Sequence, residues 1–235
     1  MINGDSSEES RIERVYARRR NRLWIKLAMQ ARKATDLMVE ERDTRRQTML
    51  AQHGLFPLSG VEVLDVGCGA GHELEKLTEL GGERTKLHGI DIMSERIAEG
   101  TARAPDLDLR HGDARKLPWP DGAFGLVMCY TVFTSILDAG IRGDVAQEMV
   151  RVLAPNGFVL WYDFRYNNPF NPDVRKVTRD ELVTLFPDSL MYLENVTLAP
   201  PIARVLAPLL PRLAAWAQDS RLLSTHLLGL IQPRR

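Results

Sequence analysis

Three glycines at alternate positions follow a short apolar run in the first third of the sequence. The run is Val63-Leu64-Asp65-Val66, and it leads directly into Gly67-Cys68-Gly69-Ala70-Gly71. Glycines at such a place allow a tight turn and let a ligand approach the backbone, where the N–H groups of a following helix can face it. A dinucleotide-binding fingerprint requires its third glycine at position 72, which is His72 here. The spacing therefore argues against an NAD-dependent oxidoreductase.

Two carboxylates follow at the ends of the next two predicted strands. Asp91 comes 20 residues after Gly71, and Asp113 stands in the sequence His111-Gly112-Asp113-Ala114. The carboxyl ends of parallel strands share one edge of a sheet, and open α/β sheets bind their ligands there. A carboxylate at that edge can accept hydrogen bonds from ribose hydroxyls, whereas two carboxylates repel a heavily phosphorylated ligand. The pattern therefore predicts a nucleoside site.

The elements around these residues alternate between strands and helices. Apolar runs predict strands over 61–67, 86–92, 107–114, 124–132 and 157–164, and helical patterns fall between them over 72–80, 94–104 and 138–153. A further helix at 178–187 precedes two strands, 191–199 and 224–232, that are placed to pair with each other. This order predicts an α/β fold, a doubly wound, mostly parallel, seven-stranded Rossmann-like sheet whose last strand is antiparallel.

The chain ahead of the first strand has a different pattern. From Glu9 to His53 basic and apolar residues are interleaved without Gly or Pro, which predicts two or three helices. Two glycines and a proline within residues 53–60 mark a boundary. We therefore expect an N-terminal helical cover over residues 1–58 and a ligand-binding domain over 59–235. Within that domain, the apolar and proline-interrupted residues 200–223 predict a helical insertion between the last two strands.

Composition excludes several classes of protein. The 235 residues are 44% hydrophobic and 26% charged, which is typical of a globular chain rather than a disordered or collagenous one. No run reaches the roughly 20 apolar residues of a membrane span, and the polar, acidic start MINGDSSEES is unlike a signal peptide. We therefore expect a cytoplasmic protein in which Cys68 and Cys129 remain thiols.

Charge is balanced over the whole chain but not along it. Lys and Arg together number 31, as do Asp and Glu, so the net charge is zero and nucleic acid is not an expected partner. Residues 11–46 nevertheless contain twelve basic and five acidic side chains. The N-terminal cover is therefore predicted to be basic.

Four sequence motifs together resemble one enzyme family. VLDVGCGAGHEL, GIDIMSERI, HGDARKLPWPDGAFGLV and EMVRVLAPNGFVLWYDF occur in the order and spacing of the Rossmann-like, class I S-adenosylmethionine-dependent methyltransferases that act on small molecules. The resemblance covers about residues 60–165. It implies that S-adenosylmethionine is the cofactor and that a small molecule is the methyl acceptor.

The resemblance also implies roles for individual residues. Asp91 would bind the ribose diol, Asp113 would contact the adenine edge, and Asp65 would lie near the amino group of the cofactor. The remaining cofactor-binding residues implied by the resemblance are Gly67, Cys68, Gly69, Ile92, Met93, Ala114, Tyr130 and Thr131, together with Tyr16 and Arg19 of the N-terminal cover.

The methyl acceptor is predicted to lie beyond the ends of the fourth and fifth strands. The segment WYDFRYNNPFNPDVR there is polar, aromatic and rich in asparagine, which suits a polyhydroxylated molecule. Together with the resemblance, this segment predicts methyl transfer to a hydroxyl of a sugar or of a hydroxylated natural product. The candidate acceptor-binding residues are Phe133, Ser135, Asp138, Arg165, Tyr166 and Asn168.

Methyl transfer to a hydroxyl benefits from a general base. Asp163, at the carboxyl end of the fifth strand, is the first candidate, and His111 and His226 compete with it. The five histidines show no metal-ligand spacing, so no metal is predicted, although a Mg²⁺ ion held by carboxylates stays an open alternative. Two alternative functions stay open, namely N- or C-methylation of a secondary metabolite and a catalytically inactive cofactor-binding regulator. The oligomeric state also stays open, with a homo-oligomer as one alternative.

Overall fold

A computed structural model describes residues 11, 14, 28–167, 171–199 and 223–234 of the chain. The helices in these residues are α1 (Ala28–Gln52), α2 (His72–Leu77), α3 (Ser94–Arg103), α4 (Ala139–Val152) and α5 (Arg179–Leu185). The strands are β1 (Val63–Val66), β2 (Leu87–Asp91), β3 (Asp108–His111), β4 (Phe124–Tyr130), β5 (Leu153–Phe164), β6 (Ser189–Leu198) and β7 (Ser224–Pro233). The predicted alternation of strands and helices is therefore confirmed in these residues.

The strands form one sheet in the order β3-β2-β1-β4-β5-β7-β6. β1 pairs in parallel with β2 and β4, β2 pairs in parallel with β3, and β4 pairs in parallel with β5. β7 runs antiparallel to both of its neighbours, β5 and β6. The predicted seven-stranded, mostly parallel sheet with an antiparallel last strand is confirmed.

Helices cover both faces of this sheet, and each face has its own buried cluster. Successive side chains of a strand point to opposite faces. On β5, Trp161 therefore packs in one cluster with Met149 of α4, whereas Tyr162 packs in the other with Leu50 of α1 and Leu74 of α2. The central strands are apolar on both sides because neither face meets water.

The start of β5 differs from the prediction. We expected the strand to begin at Gly157, but it begins at Leu153, and its pairing with β4 is irregular between Phe124 and Leu126. Asn156 in this stretch adopts a left-handed φ of 66°. The Pro155-Asn156-Gly157 sequence thus produces a bulge inside a longer strand rather than a turn ahead of a shorter one.

The N-terminal region is described mainly through α1. This single helix of 25 residues packs against β6 and β7, and its Met49 and Leu50 are buried. Residues 1–10, 12–13 and 15–27 lie outside the described residues, as do residues 200–222 of the predicted insertion. The domain boundary near residue 58 and the helical character of that insertion therefore remain predictions.

The strand directions bring the ends of several strands to one edge of the sheet. β1 ends just before Gly67, β2 ends at Asp91, β4 ends at Tyr130 and β5 ends at Phe164. β6 also ends at this edge, because it is antiparallel to β7, which in turn is antiparallel to β5. The candidate site must therefore be assembled at this carboxyl edge.

Candidate functional site

A cavity of about 310 Å³ opens at the carboxyl edge of the sheet. This volume lies within the range of small-molecule sites. The cavity is bounded by the glycine turn after β1, by the ends of β2 and β3, and by the turn after β4. Eleven of the residues that the sequence nominated line it together: Gly67, Cys68, Gly69, Asp91, Ile92, Met93, Asp113, Ala114, Tyr130, Thr131 and Ser135.

The glycine turn needs its glycines for two reasons. Gly67, Gly69 and Gly71 have φ values of 76°, 56° and 79°, a left-handed conformation that residues with a Cβ rarely adopt. A Cβ at Gly67 would also lie well inside the contact distance of the Val132 side chain, on the turn after β4. The turn is attached to β2, because the N–H groups of Gly67 and Cys68 donate to the Ile90 carbonyl at 2.8 and 3.1 Å.

Asp91 is held at the cavity wall by two backbone groups. Its Oδ2 accepts from the N–H of Gly69 at 2.7 Å, and its Oδ1 accepts from the N–H of Met93 at 2.8 Å. Each carboxylate oxygen has capacity for a second hydrogen bond. The carboxylate is therefore fixed in orientation and can still accept from a pair of ligand hydroxyls.

Asp113 is paired with a neighbouring cation on the far side of the cavity. Its Oδ1 accepts from the N–H of Arg115 at 2.9 Å, and its Oδ2 accepts from Nε of the same residue at 2.7 Å. Arg115 also lines the cavity, and nothing in the sequence pattern nominated it. This wall is consequently less negative than two unpaired acids would make it.

A group of charged side chains surrounds the other end of the cavity. Glu73, in the first turn of α2, lines the cavity and accepts from Nη2 of Arg42 at 2.8 and 2.9 Å and from Nζ of Lys76 at 2.9 Å. Burial opposes the positive charge of Arg42, but Glu73, Tyr130 and Asp43 together outweigh it and raise the pKa of this guanidinium. Asp65 lies 3% exposed in β1, where burial, followed by the nearby Glu73 and Asp91, raises the pKa of its carboxyl well above the usual range.

Aromatic rings extend from the cavity across the sheet edge. Tyr130 lines the cavity, and its ring lies 5.4 Å from Tyr162, which stacks on His226 at 4.7 Å with an interplanar angle of 2°. The His226 ring lies in turn 4.0 Å from Phe164. The guanidinium of Arg42 lies 5.2 Å from the Tyr130 ring centroid and 5.5 Å from that of Tyr162. Strands β4, β5 and β7 and helix α1 thus build one aromatic and cationic wall.

Comparison with known proteins agrees with this geometry. Residues 63–157 match a family model described as a methyltransferase domain. The phthiotriol/phenolphthiotriol dimycocerosates methyltransferase 1 of Mycobacterium ulcerans is 35% identical over 124 residues, which are 47% of this chain and 40% of that protein. The demethylmenaquinone methyltransferase of Lysinibacillus sphaericus is 32% identical over 104 residues, 43% of each chain. Residues 63–157 are thus similar to the methyltransferase domain of class I S-adenosylmethionine-dependent enzymes.

Solved structures support the fold. A crystal structure of an S-adenosylmethionine-dependent methyltransferase from Aquifex aeolicus superposes with a TM-score of 0.55 over 86% of this chain and 97% of the other, at 19% identity. The matched region spans less than half of the length of the two relatives named above. S-adenosylmethionine is the cofactor that this similarity implies, and the cavity chemistry fits it: Asp91 can accept from a ribose diol, and Ile92 and Ile136 offer apolar side chains.

Not every residue that the sequence predicted for the site reaches the cavity. Asp163 is 1% exposed and is absent from the cavity wall, and its oxygens accept from the N–H groups of Thr134 at 2.9 Å and Phe164 at 2.8 Å. The ring of His111 reaches the carbonyl of Ile92 at 3.1 Å instead of the cavity. The geometry thus does not bring either nominated base to the cavity wall, and their catalytic roles remain predictions.

His226, the third nominated base, is also buried. Its Nδ1 lies 3.1 Å from Oγ1 of Thr225. Burial, reinforced by the positive charge of Arg42, lowers the pKa of this imidazole to about 3. His226 is therefore neutral throughout the physiological pH range, and its stacking on Tyr162 places it in the aromatic wall.

Four nominated acceptor-binding residues occupy structural positions. Phe133 is fully buried and packs on Trp161 with ring centroids 4.6 Å apart, so it belongs to the core. Asp138 caps α4, where its Oδ1 accepts from the N–H of Ile141 at 3.0 Å. The guanidinium of Arg165 stacks on the half-exposed ring of Tyr166 at 4.7 Å, outside the cavity wall. Of the five predicted acceptor-binding residues that the structure describes, only Ser135 lines the cavity.

The N-terminal cover reaches the cavity through a residue that the sequence did not nominate. Nη2 of Arg11 donates to the carbonyl of Ser135 at 2.5 Å. Tyr16, Arg19 and Asn168 lie outside the described residues, so their predicted roles stay predictions. Sequence reasoning also missed Arg42 and the cavity-lining His72, Glu73, Arg96, Arg115, Ile136, Ile141 and Val145.

Two further features of the described residues bear on the predictions. The described part of the chain has no helix that is long and apolar enough to cross a membrane. It also has no cluster of three or more His, Cys, Asp or Glu side chains arranged to hold a metal ion. The expectation of a metal-independent site stays a prediction. Cys68 and Cys129 are free thiols, as expected.

Proposed function

We propose that this protein transfers the methyl group of S-adenosylmethionine to a hydroxyl of a small hydroxylated molecule, such as a sugar or a hydroxylated natural product. The observation that carries the proposal is the convergence of the glycine turn, Asp91 and Tyr130 on one cavity. The cofactor supplies a methyl group on a sulfonium, which a nucleophile can take directly. The protein must therefore mainly bind the cofactor and the acceptor, orient them toward each other and exclude water.

Different residues of the cavity bind different parts of the cofactor. Asp91 accepts from the ribose hydroxyls with the lone pairs that Gly69 and Met93 leave available. Asp113 and Ala114 contact the adenine edge, and the methionine end lies beside the charged group around Glu73. Precise positioning of the two reactants is worth up to roughly 7–11 kcal/mol of the barrier.

The nature of the acceptor rests on the wall beyond Tyr130. The ring of Tyr130 at the cavity wall fits an acceptor that presents an apolar or ring face, and the polar segment that follows β5 stays the predicted contact for its hydroxyl groups. One relative is named for a triol, whose oxygens are hydroxyl groups, and another for a quinone, whose oxygens are carbonyl groups, so the first name supports a hydroxyl acceptor. These features together favour a hydroxyl acceptor over an amine.

Incubation of the purified protein with S-adenosylmethionine labelled on its methyl group tests this proposal. The acceptor panel contains saccharides, polyols, phenols, quinols and amines, and the measurement is label transferred to each acceptor, followed by NMR assignment of the new methyl group. We expect label on oxygen of at least one hydroxylated acceptor and none on the amines. Asp91→Ala, with its weakened cofactor site, serves as the matched negative control.

Each other outcome of this experiment identifies a different function. Label found on nitrogen or carbon alone would replace O-methylation with N- or C-methylation. Binding of the cofactor without transfer to any acceptor of the panel would favour a catalytically inactive regulator. Failure of the wild-type protein to bind S-adenosylmethionine in a calorimetric titration would overturn the proposal as a whole.

A further inference from the structure

Asp163 is a buried carboxylate that does not reach the cavity. It follows Tyr162 on β5, and its side chain points to the opposite face of the sheet, toward α4. Oδ2 accepts from the N–H of Thr134 at 2.9 Å, and Oδ1 accepts from the N–H of Phe164 at 2.8 Å. Both oxygens thus accept from backbone N–H groups, which supply the hydrogen bonds that a carboxylate needs when it is only 1% exposed.

The backbone that Asp163 holds forms part of the cavity wall. Thr134 is the middle residue of the short 3₁₀ helix that follows β4, and the neighbouring Val132, Ser135 and Ile136 line the cavity. The turn begins at Thr131, whose φ of 56° is unfavourable for a residue with a branched side chain. Such a conformation persists only where its surroundings fix it.

Two arginines and one threonine side chain complete the attachment of this turn. Nε of the fully buried Arg142 donates to the Ile136 carbonyl at 2.7 Å. The Thr134 carbonyl accepts from the N–H of Arg175 at 2.9 Å, and Oγ1 of Thr134 donates to the Arg175 carbonyl at 3.0 Å. The turn is therefore held from α4, from β5 and from the segment ahead of α5.

The strength of the Asp163 attachment depends on its ionisation. Two backbone N–H donors need two acceptor oxygens, and only the ionised carboxylate offers both without a competing O–H. Burial raises the pKa of Asp163 to about 7, although the N–H groups of Thr134 and Phe164, the positive charge of Arg142 and the N–H of Phe133 lower it. Cys129 of β4 also faces it, and burial keeps that thiol neutral by raising its pKa well above the usual range.

We propose that Asp163 is a positioning residue for methyl transfer: its ionised carboxylate fixes the Thr131–Ile136 turn against the glycine turn and thereby shapes the cofactor cavity. This inference rests on the proposed function, because the cavity matters only if it holds the cofactor. It differs from the assignment of Asp163 as a general base, since here the carboxylate acts on the backbone and does not touch the acceptor.

The affinity for S-adenosylhomocysteine, the demethylated cofactor, tests the inference without knowledge of the acceptor. We compare wild type, Asp163→Asn and Asp163→Glu by calorimetric titration at pH 5.5, 6.5 and 8. The control is Asp144→Asn, the same change at an exposed position of α4. We expect Asp163→Asn to bind roughly tenfold more weakly than wild type at pH 8, with the difference shrinking toward pH 5.5, because its amide resembles the protonated acid. Asp144→Asn should match wild type at every pH.

A second measurement uses the wild-type protein alone, in case Asp163→Asn does not fold. Binding of S-adenosylhomocysteine at pH 6.5, in buffers of different ionisation enthalpy, should release a fraction of a proton, because the bound state favours ionised Asp163. The titration is repeated with His72→Gln, since that imidazole also lines the cavity. Proton release that persists in His72→Gln supports the inference.

The outcomes separate this inference from its rivals. An affinity of Asp163→Asn equal to wild type at all three pH values, or binding without proton release in His72→Gln, would overturn it. If only turnover falls in Asp163→Asn while affinity and its pH dependence stay unchanged, Asp163 acts as a base instead. If wild type itself does not bind S-adenosylhomocysteine, the proposed function fails before this inference is reached.

Discussion

Substitution of Gly67 by alanine tests whether the glycine turn and the turn after β4 are fitted to each other. The change has two separable effects in the structure, a left-handed φ of 76° and an overlap with the Val132 side chain. A left-handed conformation costs a residue with a Cβ about 1–2 kcal/mol, and the more restricted unfolded chain returns about 0.4–1 kcal/mol. Overpacking against a neighbour adds about 1–3 kcal/mol. We therefore expect Gly67→Ala to lower the free energy of unfolding by about 2–4 kcal/mol.

The chain offers a matched control for the first of these effects. Gly60 has a φ of 78°, and a Cβ there would meet no atom within 4 Å. Gly60→Ala should therefore lower the free energy of unfolding by only about 1 kcal/mol, because the overlap is missing. Urea denaturation of both variants, with the calorimetric affinity for S-adenosylhomocysteine alongside, measures the difference. The affinity should fall in Gly67→Ala and stay unchanged in Gly60→Ala.

A double-mutant cycle with Val132→Ala isolates the overlap. Removal of the two Val132 methyl groups alone should cost about 1–2 kcal/mol, but in the Gly67→Ala background it also relieves the clash. The double variant should thus be more stable than the sum of the single changes by about 1–3 kcal/mol. Strictly additive effects, or equal losses in Gly67→Ala and Gly60→Ala, would refute the idea that the two turns are fitted to each other.

Three further predictions follow from described contacts. Asp91→Ala should weaken S-adenosylhomocysteine binding by about 2–3 kcal/mol through lost charge-assisted hydrogen bonds, and an unchanged dissociation constant in calorimetry would contradict this. Burial raises the pKa of Asp163 from 3.8 to about 7, so between these pH values the folded state holds a proton that the unfolded chain has lost. The free energy of unfolding should therefore fall by up to about 4 kcal/mol as pH rises through this window, and urea titrations of Asp163→Asn should lack that decrease. Arg142→Met removes one of the two arginines that contact Glu181, the other being Arg175, and the side-chain donor to the Ile136 carbonyl. It should destabilise the protein by about 1–3 kcal/mol in the same assay, and an unchanged free energy of unfolding would contradict the role of this guanidinium.

The cofactor side of the site was predictable because its signals are local in sequence. The glycine turn follows an apolar strand, Asp91 ends the next strand, and Asp113 follows β3 by two residues; parallel pairing then brings those ends together. The doubly wound, mostly parallel sheet follows from the same alternation. Residues with this kind of placement reached the cavity wall as expected.

The other side depends on information that a single sequence does not contain. Asp163 and Tyr162 are neighbours at the end of the same strand, and a register alternation of one residue decides which face each occupies. Tyr162 faces α1 and joins the aromatic wall, whereas Asp163 faces α4 and holds the Thr134 N–H. Arg42 was missed for a related reason, because its partner Glu73 lies 31 residues away and no local pattern connects them.

Alkylation of the two thiols distinguishes local opening at the cavity from separation of the sheet. Burial raises the pKa of both Cys68 and Cys129, so little thiolate is present at neutral pH and alkylating reagents should react slowly with either. Cys68 lies in the glycine turn at the cavity wall, whereas Cys129 lies within β4 between two neighbouring strands. Modification of Cys68 thus requires only local opening of the cavity, while modification of Cys129 requires the sheet to come apart. Alkylation of the two native cysteines can therefore follow opening of the cavity and separation of the sheet independently, without any cysteine having to be introduced.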